Sequence, residues 1–421
     1  MRTNCAKNAD TADSEPLLAA ARRQIASLGL NAVSARAVAA ACNISPASIN
    51  HRFGDKAGLI TAALNSAIDL DVAALNMIAD EISNATIPAS RRADVLHHVI
   101  SRQFVEHRVL ATIRWNVFVE TMRTGAYREV SRRWAESQAH FWRTTGKTLG
   151  LQPESTMFAY HTAEHFGRGY LISTKPLLFD GWCKDFSCRL IERLSCEDLS
   201  FADDSPWRQA FIESEPKTSR PANVNGAEKV EQLINAAVRV IIQKGAASMT
   251  HRSVAKEAGV SLSATTYYFA SLDDIYVKTY QNLVEEVISS NAYIKKHKKP
   301  AEKRSLSLVA ADLSKALSDI WSGEASDLTY AIAELDLLAA SKPELRSLSD
   351  VLLARIGATS TNILRSIEGA PRDIDALDGV ILSRYLNGLN EGMQIKNDAN
   401  ALSLNIRHGL EAFLSLGVVD S

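Results

Sequence analysis

The sequence predicts an all-α fold made of two repeats, each a small three-helix head followed by a larger helical bundle. Three observations predict it. Apolar residues recur at three- and four-residue spacing along most of the chain, no alternating strand pattern of useful length interrupts them, and the stretch 17–53 returns at 233–269.

The repeat keeps a constant offset of 216 residues. Leu17 matches Leu233, Ala20 and Ala21 match Ala236 and Ala237, Ile25 matches Ile241, and Gly29 matches Gly245. Arg36 then matches Arg252, Val38 Val254, Ala39 Ala255, Ser45 Ser261 and Phe53 Phe269, all without a gap. Between the copies, Ala202–Gly226 carries Pro206, Pro216, Pro221 and Asn225-Gly226, a density of breakers that reads as a linker, with room for a short ordered turn around Trp207 and Phe211. The predicted organisation is a disordered tail over 1–13, a first head over 14–60, a first bundle over 61–201, the linker over 202–226, a second head over 227–276 and a second bundle over 277–421.

In the first head, an amphipathic helix stops at Gly29. Arg36–Ala41 forms a short second helix, Cys42-Asn43-Ile44 a tight turn, and Ser45–Phe53 a third helix with Pro46 at its first position, where a missing N–H costs nothing. Asn43 stands where the second copy has Gly259, and asparagine tolerates the left-handed conformation nearly as well. In the second head, Val230–Lys244 stops at Gly245, Thr250 caps His251–Ala258, and after Gly259-Val260 the hydroxyl of Ser261 caps Leu262–Phe269. Small Ala39 and Ala255 let the two short helices cross closely, and Ile49, Phe53, Val260 and Phe269 are expected beneath the crossing. A short helix, a tight turn and a second short helix make a helix-turn-helix.

Each copy resembles the DNA-binding head of the TetR (tetracycline repressor) family. The motif stands as Thr250-His251-Arg252-Ser253-Val254-Ala255 with Ser261 through Tyr267-Tyr268-Phe269, and as Ser34-Ala35-Arg36-Ala37-Val38-Ala39 with Ser45 through Phe53. The resemblance implies that Ala47, Ser48 and Asn50, with Leu262, Ser263, Ala264 and Thr266, face the major groove, where short side chains reach base edges or a thymine methyl. It places His51, Tyr267, Tyr268, Arg36, Arg252 and Lys56 near phosphates, and the helix-start residues Ser34, Ser45, Thr250 and Ser261 on the same face. Two departures stand out: Asn50-His51 replaces an aromatic pair, and Leu272 occupies the position of Lys56. Charge differs too, with +3 over 14–60 and zero over 227–276. The first head is therefore expected to dominate binding to a double-stranded operator.

The resemblance further implies a small-molecule effector and a pseudo-dimer within one chain. Its bundles would pair through Ser155–Thr174 and Trp182–Leu194 against Asp375–Ile395 and Ala401–Leu416, with homodimerisation of the whole chain left open. The aromatic first bundle is the expected effector site, with Trp115, Phe118, Trp142, His161 and His165 named for it. His161, Glu164 and His165 match an H-x-x-E-H spacing, but no third ligand or protease context accompanies them, so no metal or other cofactor is expected.

The remaining features exclude more than they assign. Five cysteines, odd in number and without paired C-x-x-C spacing, fit reduced thiols better than disulfides or a zinc site. A net charge of −1 gives no overall nucleic-acid signal, and the Lys295–Lys299 run reads as a solvated loop. No apolar run is read as membrane-spanning, and the expected location is the cytoplasm. No nucleophile–base pair, phosphate loop or cofactor fingerprint points to an enzyme. The expectation is a ligand-responsive repressor; a sensor or partner-binding protein whose heads no longer hold DNA, and a metal-dependent enzyme, are the alternatives.

Overall fold

The computed structural model describes residues 3–195, 205–214, 227–296, 302–322, 325–396 and 401–415. The first head comprises α1 (Thr3–Leu28), α2 (Ala35–Ala41) and α3 (Pro46–Phe53), and α4 (Lys56–Ser83) leads into the bundle. That bundle contains α5 (Arg92–Ser101), α6 (Arg108–Thr124), α7 (Arg128–Thr148), α8 (Pro153–Gly167), α9 (Gly169–Ile172) and α10 (Pro176–Ser195), and α11 (Pro206–Glu213) follows. The second head comprises α12 (Ala227–Lys244), α13 (His251–Ala258) and α14 (Leu262–Tyr268), continued by α15 (Leu272–Lys296). Its bundle contains α16 (Leu306–Ser322), α17 (Ala325–Ala339), α18 (Pro343–Ala354), α19 (Ser360–Ser366), α20 (Ala376–Lys396) and α21 (Leu402–Leu414). Among the described residues there is no strand, only an isolated bridge between Arg304 and Ile367.

Two sequence expectations need correction, and the short ordered turn allowed for in the linker is a helix. The tail predicted over 1–13 is helical from Thr3, because residues 3–13 contain neither Gly nor Pro and extend a helix already anchored by Leu17, Ala21 and Ile25. The linker holds α11, capped by Ser205 and started by Pro206, with Phe211 buried against Trp182 at a centroid distance of 5.3 Å. Finally, α4 is long and apolar enough to cross a membrane by length and composition, although half of that stretch is buried within the protein. One face of it is core: Leu64, Ala67, Ile68, Leu75 and Ile78 pack inside and Asp71 is 3% exposed, while Leu70 and Met77 face outward. The Lys295–Lys299 run, Cys5 and Cys196 lie outside the residues whose side chains are described, while Cys42, Cys183 and Cys188 are free thiols.

The two halves meet along a seam whose most extensive contact is α8 against α20, with α10 and α21 closing its sides. Two glycines one turn apart make the crossing close. A Cβ on Gly388 would stand 2.1 Å from the His161 carbonyl oxygen, and one on Gly392 would stand 2.8 Å from His161 Cε1. Beside them Phe158 stacks on Tyr385 at 4.0 Å and on Phe413 at 5.1 Å. Charges inside the seam are paired. Arg168 grips Glu391 with two hydrogen bonds of 2.8 and 2.6 Å, and Arg193 grips the fully buried Asp378 at 3.0 and 2.9 Å. Arg189 reaches Asp378 and Asp375, each at 3.2 Å.

Burial pushes the Glu391 carboxyl up, but Arg168 and His165 outweigh it and hold the group at about 2. Burial lowers His161 and His165 from 6.5 to about 4, so both imidazoles are neutral at the seam. All three groups bind fewer protons folded than unfolded. Their stability is therefore complete above the unfolded value and is lost as pH falls through the folded one. The histidine contribution disappears between pH 6.5 and about 4, and that of Glu391 between 4.5 and about 2. Thermal melting followed from pH 7 to 4.5 should show a falling Tm, and the double variant His161→Gln/His165→Gln should flatten that slope. An unchanged slope in the variant would refute the assignment. Gly388→Val should cost about 1–3 kcal/mol or more by forcing α8 and α20 apart, read as a lower denaturant midpoint.

Candidate nucleic-acid interface

In both heads the polar side chains at helix starts serve first as caps. Ser34 Oγ accepts from the Ala37 N–H and Ser45 Oγ from the Ser48 N–H, each at 3.3 Å. Thr250 and Ser253 form a reciprocal capping box, and Ser261 Oγ accepts from the Ala264 N–H at 3.3 Å. The turn between the short helices needs one left-handed residue. Asn43 supplies it at φ 55° and Gly259 at φ 66°. The same closure then forms in each copy, Ile44 N donating to Ala39 O and Val260 N to Ala255 O, both at 3.0 Å. Ala39, Ile49, Ala255 and Phe269 are buried beneath it, with Phe53 and Val260 half-buried against the core.

This closure turns one face of α3 and of α14 outward. Ala47, Asn50 and His51 are exposed, as are Ser34, Arg36, Ser45 and Lys56, while Ser48 is half-buried. In the second head Thr250, Arg252, Ser261, Leu262, Ser263 and Thr266 are exposed and Ala264 is half-buried. The structure separates the tyrosine pair: Tyr267 is 82% exposed, whereas Tyr268 packs against the core with its ring perpendicular to Tyr267.

The heads differ in how their cations are used. Lys56 Nζ donates to the Asn31 carbonyl at 2.9 Å and stays exposed, and Arg36 is exposed beside it. In the second head Arg239 pairs with Glu257 at 2.9 Å, and Asp273 and Asp274 at the start of α15 hold Lys342 at 2.6 Å and Lys278 at 3.2 Å. The two carboxylates at the start of α15 are thus engaged by lysines from beyond the head.

Both heads rest on the same supports. Asn31 Nδ2 of the first head donates to Glu120 Oε2 of α6 at 3.1 Å, and Arg123 of α6, paired with that carboxylate, donates to the Gln243 carbonyl of the second head at 3.0 Å. Glu334 of α17 accepts from the Ala246 N–H at 2.9 Å. Deeper, Asp71 of α4 accepts from Trp134 at 2.6 Å, Gln138 at 2.8 Å and Arg114 at 3.0 Å, and Arg114 reaches on to Glu164 of α8 at 2.9 Å. Burial pushes the Glu164 carboxyl up, while Arg114 opposes it.

The residues named for an effector site do not share one cavity. Trp115, Phe118 and His161 line a space of about 70 Å³ between α6, α7 and α8 of the first bundle and α20 of the second. Trp115 and His165 instead border a larger space of about 280 Å³, walled mainly by α17, α18 and α20 of the second bundle. Trp142 is buried and lines neither, packing edge-on to Phe141. Its position in the first bundle was a poor guide, because a dense aromatic cluster fills volume rather than leaving it. The His161-Glu164-His165 trio is also dispersed: His161 packs on Gly392, Glu164 pairs with Arg114, and His165 accepts from Arg384 at 2.8 Å. Among the described residues no group of three or more His, Cys, Asp or Glu is placed to hold a metal ion. Sequence reasoning missed Arg168, Asp336, Arg384 and Glu391. The signal was available in part, since Arg384, Asn387 and Glu391 share one face of their helix.

A family model described as bacterial regulatory proteins, tetR family, matches the chain twice, at 17–63 and at 233–278. Curated relatives named HTH-type transcriptional regulator BetI, from Brucella canis and Brucella suis, are 36% identical over 86 residues, which is 20% of this chain and 43% of theirs. The relative of that name from Brucella melitensis is 36% identical over 84 residues. The chain therefore spans less than half the length of these relatives. Both matches to the family model coincide with the two helix-turn-helix units, so the chain carries two tetR-type heads in tandem.

The exposure pattern sets a test of which residues hold the heads together. Substituting Arg36, Asn50, Arg252 or Tyr267 by Ala should leave stability within about 0.5 kcal/mol, whereas Phe269→Ala should cost about 3–5 kcal/mol in denaturant unfolding. A large loss on Tyr267→Ala would mean that the tyrosine packs rather than faces outward.

Proposed function

We propose that this chain with two tetR-type heads is a DNA-binding transcriptional regulator that presents both heads to two half-sites as a single-chain pseudo-dimer. The observation that carries the reading is the repeated closure that leaves the outer faces of α3 and α14 exposed while everything beneath them is core. Short polar side chains on those faces suit base edges, and Arg36, Lys56, Arg252 and Tyr267 suit phosphates. The two faces differ in sequence, so the half-sites they read differ too. An ordinary dimer of identical subunits would read a palindrome.

The mechanism is release of DNA on binding of a small molecule. Two connections support it. From α8 the contacts run through Glu164, Arg114 and Asp71 to α4, which carries α3. From the larger cavity, Ile332, Ala333 and Asp336 lie on the same helix as Glu334, which holds the second head at Ala246. A ligand that favours one packing of α17 over another shifts the second head, by no more than its difference in affinity for the two packings.

Footprinting of the purified chain on its own upstream DNA, with stoichiometry and salt dependence, tests the reading. One chain protecting two adjacent major grooves supports it; two chains on a longer site would mean that the tandem unit dimerises. Absence of binding to upstream DNA and to a random-sequence pool at low salt would refute DNA recognition. The charge difference between heads predicts that Arg36→Ala/Lys56→Ala weakens binding more than Arg252→Ala and lowers the slope of log K against log salt by about 2. The reverse ranking would assign dominance to the second head.

A further inference from the structure

The larger cavity has a chemistry of its own. Its walls are apolar at Ile172, Val287, Ile332, Leu352, Leu353 and Ile356, and its charged groups are Arg168, Arg384, Asp336 and Glu391. Arg168 is matched by the two hydrogen bonds to Glu391, which leaves that pair neutral. Arg384 is matched by nothing comparable. Its guanidinium donates to His165 Nδ1, which as an acceptor is the neutral imidazole; among the described residues it forms no ion pair, and Asp336 and Glu391 act on it only from a distance. Asp336 accepts from Tyr280 and from Ser349 at 2.8 Å, both on Oδ1, and burial pushes its carboxyl up. Burial also lowers Arg384 to about 10, which leaves it a cation.

The hydrogen-bond inventory agrees. Two lining residues keep a buried N–H with no protein acceptor, Arg384 Nε and Trp115 Nε1, and no lining residue keeps a buried acceptor in the same condition. A buried donor without a partner is costly, and a buried unpaired cation more so. What such a site lacks is an anionic acceptor attached to an apolar body.

We infer that the cavity between the halves is a binding site for one organic monoanion per chain, a carboxylate with an apolar body, held by Arg384 and Trp115. The site deepens the effector reading above, but its existence does not require that reading. It is one site per chain because the other space beside Trp115 and His161 measures only about 70 Å³, and it is lined from the other half of the chain by Trp115, His165, Arg168, Gly169 and Ile172. Glu391 is held by Arg168 and Asp336 accepts from Tyr280 and Ser349, so the chief electrostatic partner of an entering anion is the Arg384 guanidinium.

Calorimetric titration of the full chain without DNA, using decanoate, decanol and decylamine as probes, tests the site. Decanoate should bind one per chain, at least about tenfold more tightly than either of the others. Arg384→Gln should remove that preference and leave decanol binding unchanged. Trp115→Phe, which keeps the packing, should weaken decanoate alone, and Ala333→Phe, which fills the space, should abolish binding of all three. Circular dichroism and melting check that each variant is folded. Decanol or decylamine binding as tightly as decanoate, two decanoates per chain, no decanoate binding, or full decanoate affinity in both Arg384→Gln and Trp115→Phe would overturn the proposal. Release of operator DNA is measured separately. Decanoate that binds without releasing DNA leaves the site standing and refutes the effector mechanism.

Discussion

The close crossing of α8 and α20 is the contact on which the rest of the molecule depends. Gly388 and Gly392 let the two helices approach until the His161 backbone lies where a side chain would otherwise be, and Phe158, Tyr385 and Phe413 fill the space beside them. That approach brings Arg168 to Glu391 and Arg193 to Asp378, residues more than 180 positions apart in the chain. Buried ion pairs contribute little net stability, because desolvation offsets most of their attraction. Their effect is to make one register of the seam acceptable and others costly, since a slipped register would leave buried charges unpaired. The position of each head follows from that register.

The heads are fixed by polar contacts set on an apolar base. Glu120 holds the Asn31 side chain just past α1, Arg123 and Glu334 hold backbone groups at and just past the end of α12, and Asp71 gathers three donors from α6 and α7. Such junctions have few alternative arrangements, since each broken bond exposes a buried charge. They therefore pass on a change in packing as a discrete shift of a head.

The halves have diverged in opposite senses. The first carries the more basic head and a bundle packed solid with aromatics; the second carries a neutral head and the roomier bundle. In a dimer of identical chains a substitution changes both halves at once. Joined in one polypeptide, each half is free to lose a feature that the other retains.

The sequence by itself determined the all-α class, the two heads, their caps and the turn at Asn43. These are local matters, settled by hydroxyls, glycine and apolar spacing within about fifteen residues of one another. It also indicated the outward faces of α3 and α14, because what is not needed for the core of so short a helix must face out. It did not determine the roles of Tyr268, Trp142 or His161, each of which depends on a distant partner surface, nor the cavity beside Arg384. That cavity is a volume left over when helices from both halves have packed, where Arg168 holds Glu391 and Arg384 is left with the neutral His165. Which charge goes unmatched is decided by the approach of α8 to α20, and no local spacing in the chain encodes that distance.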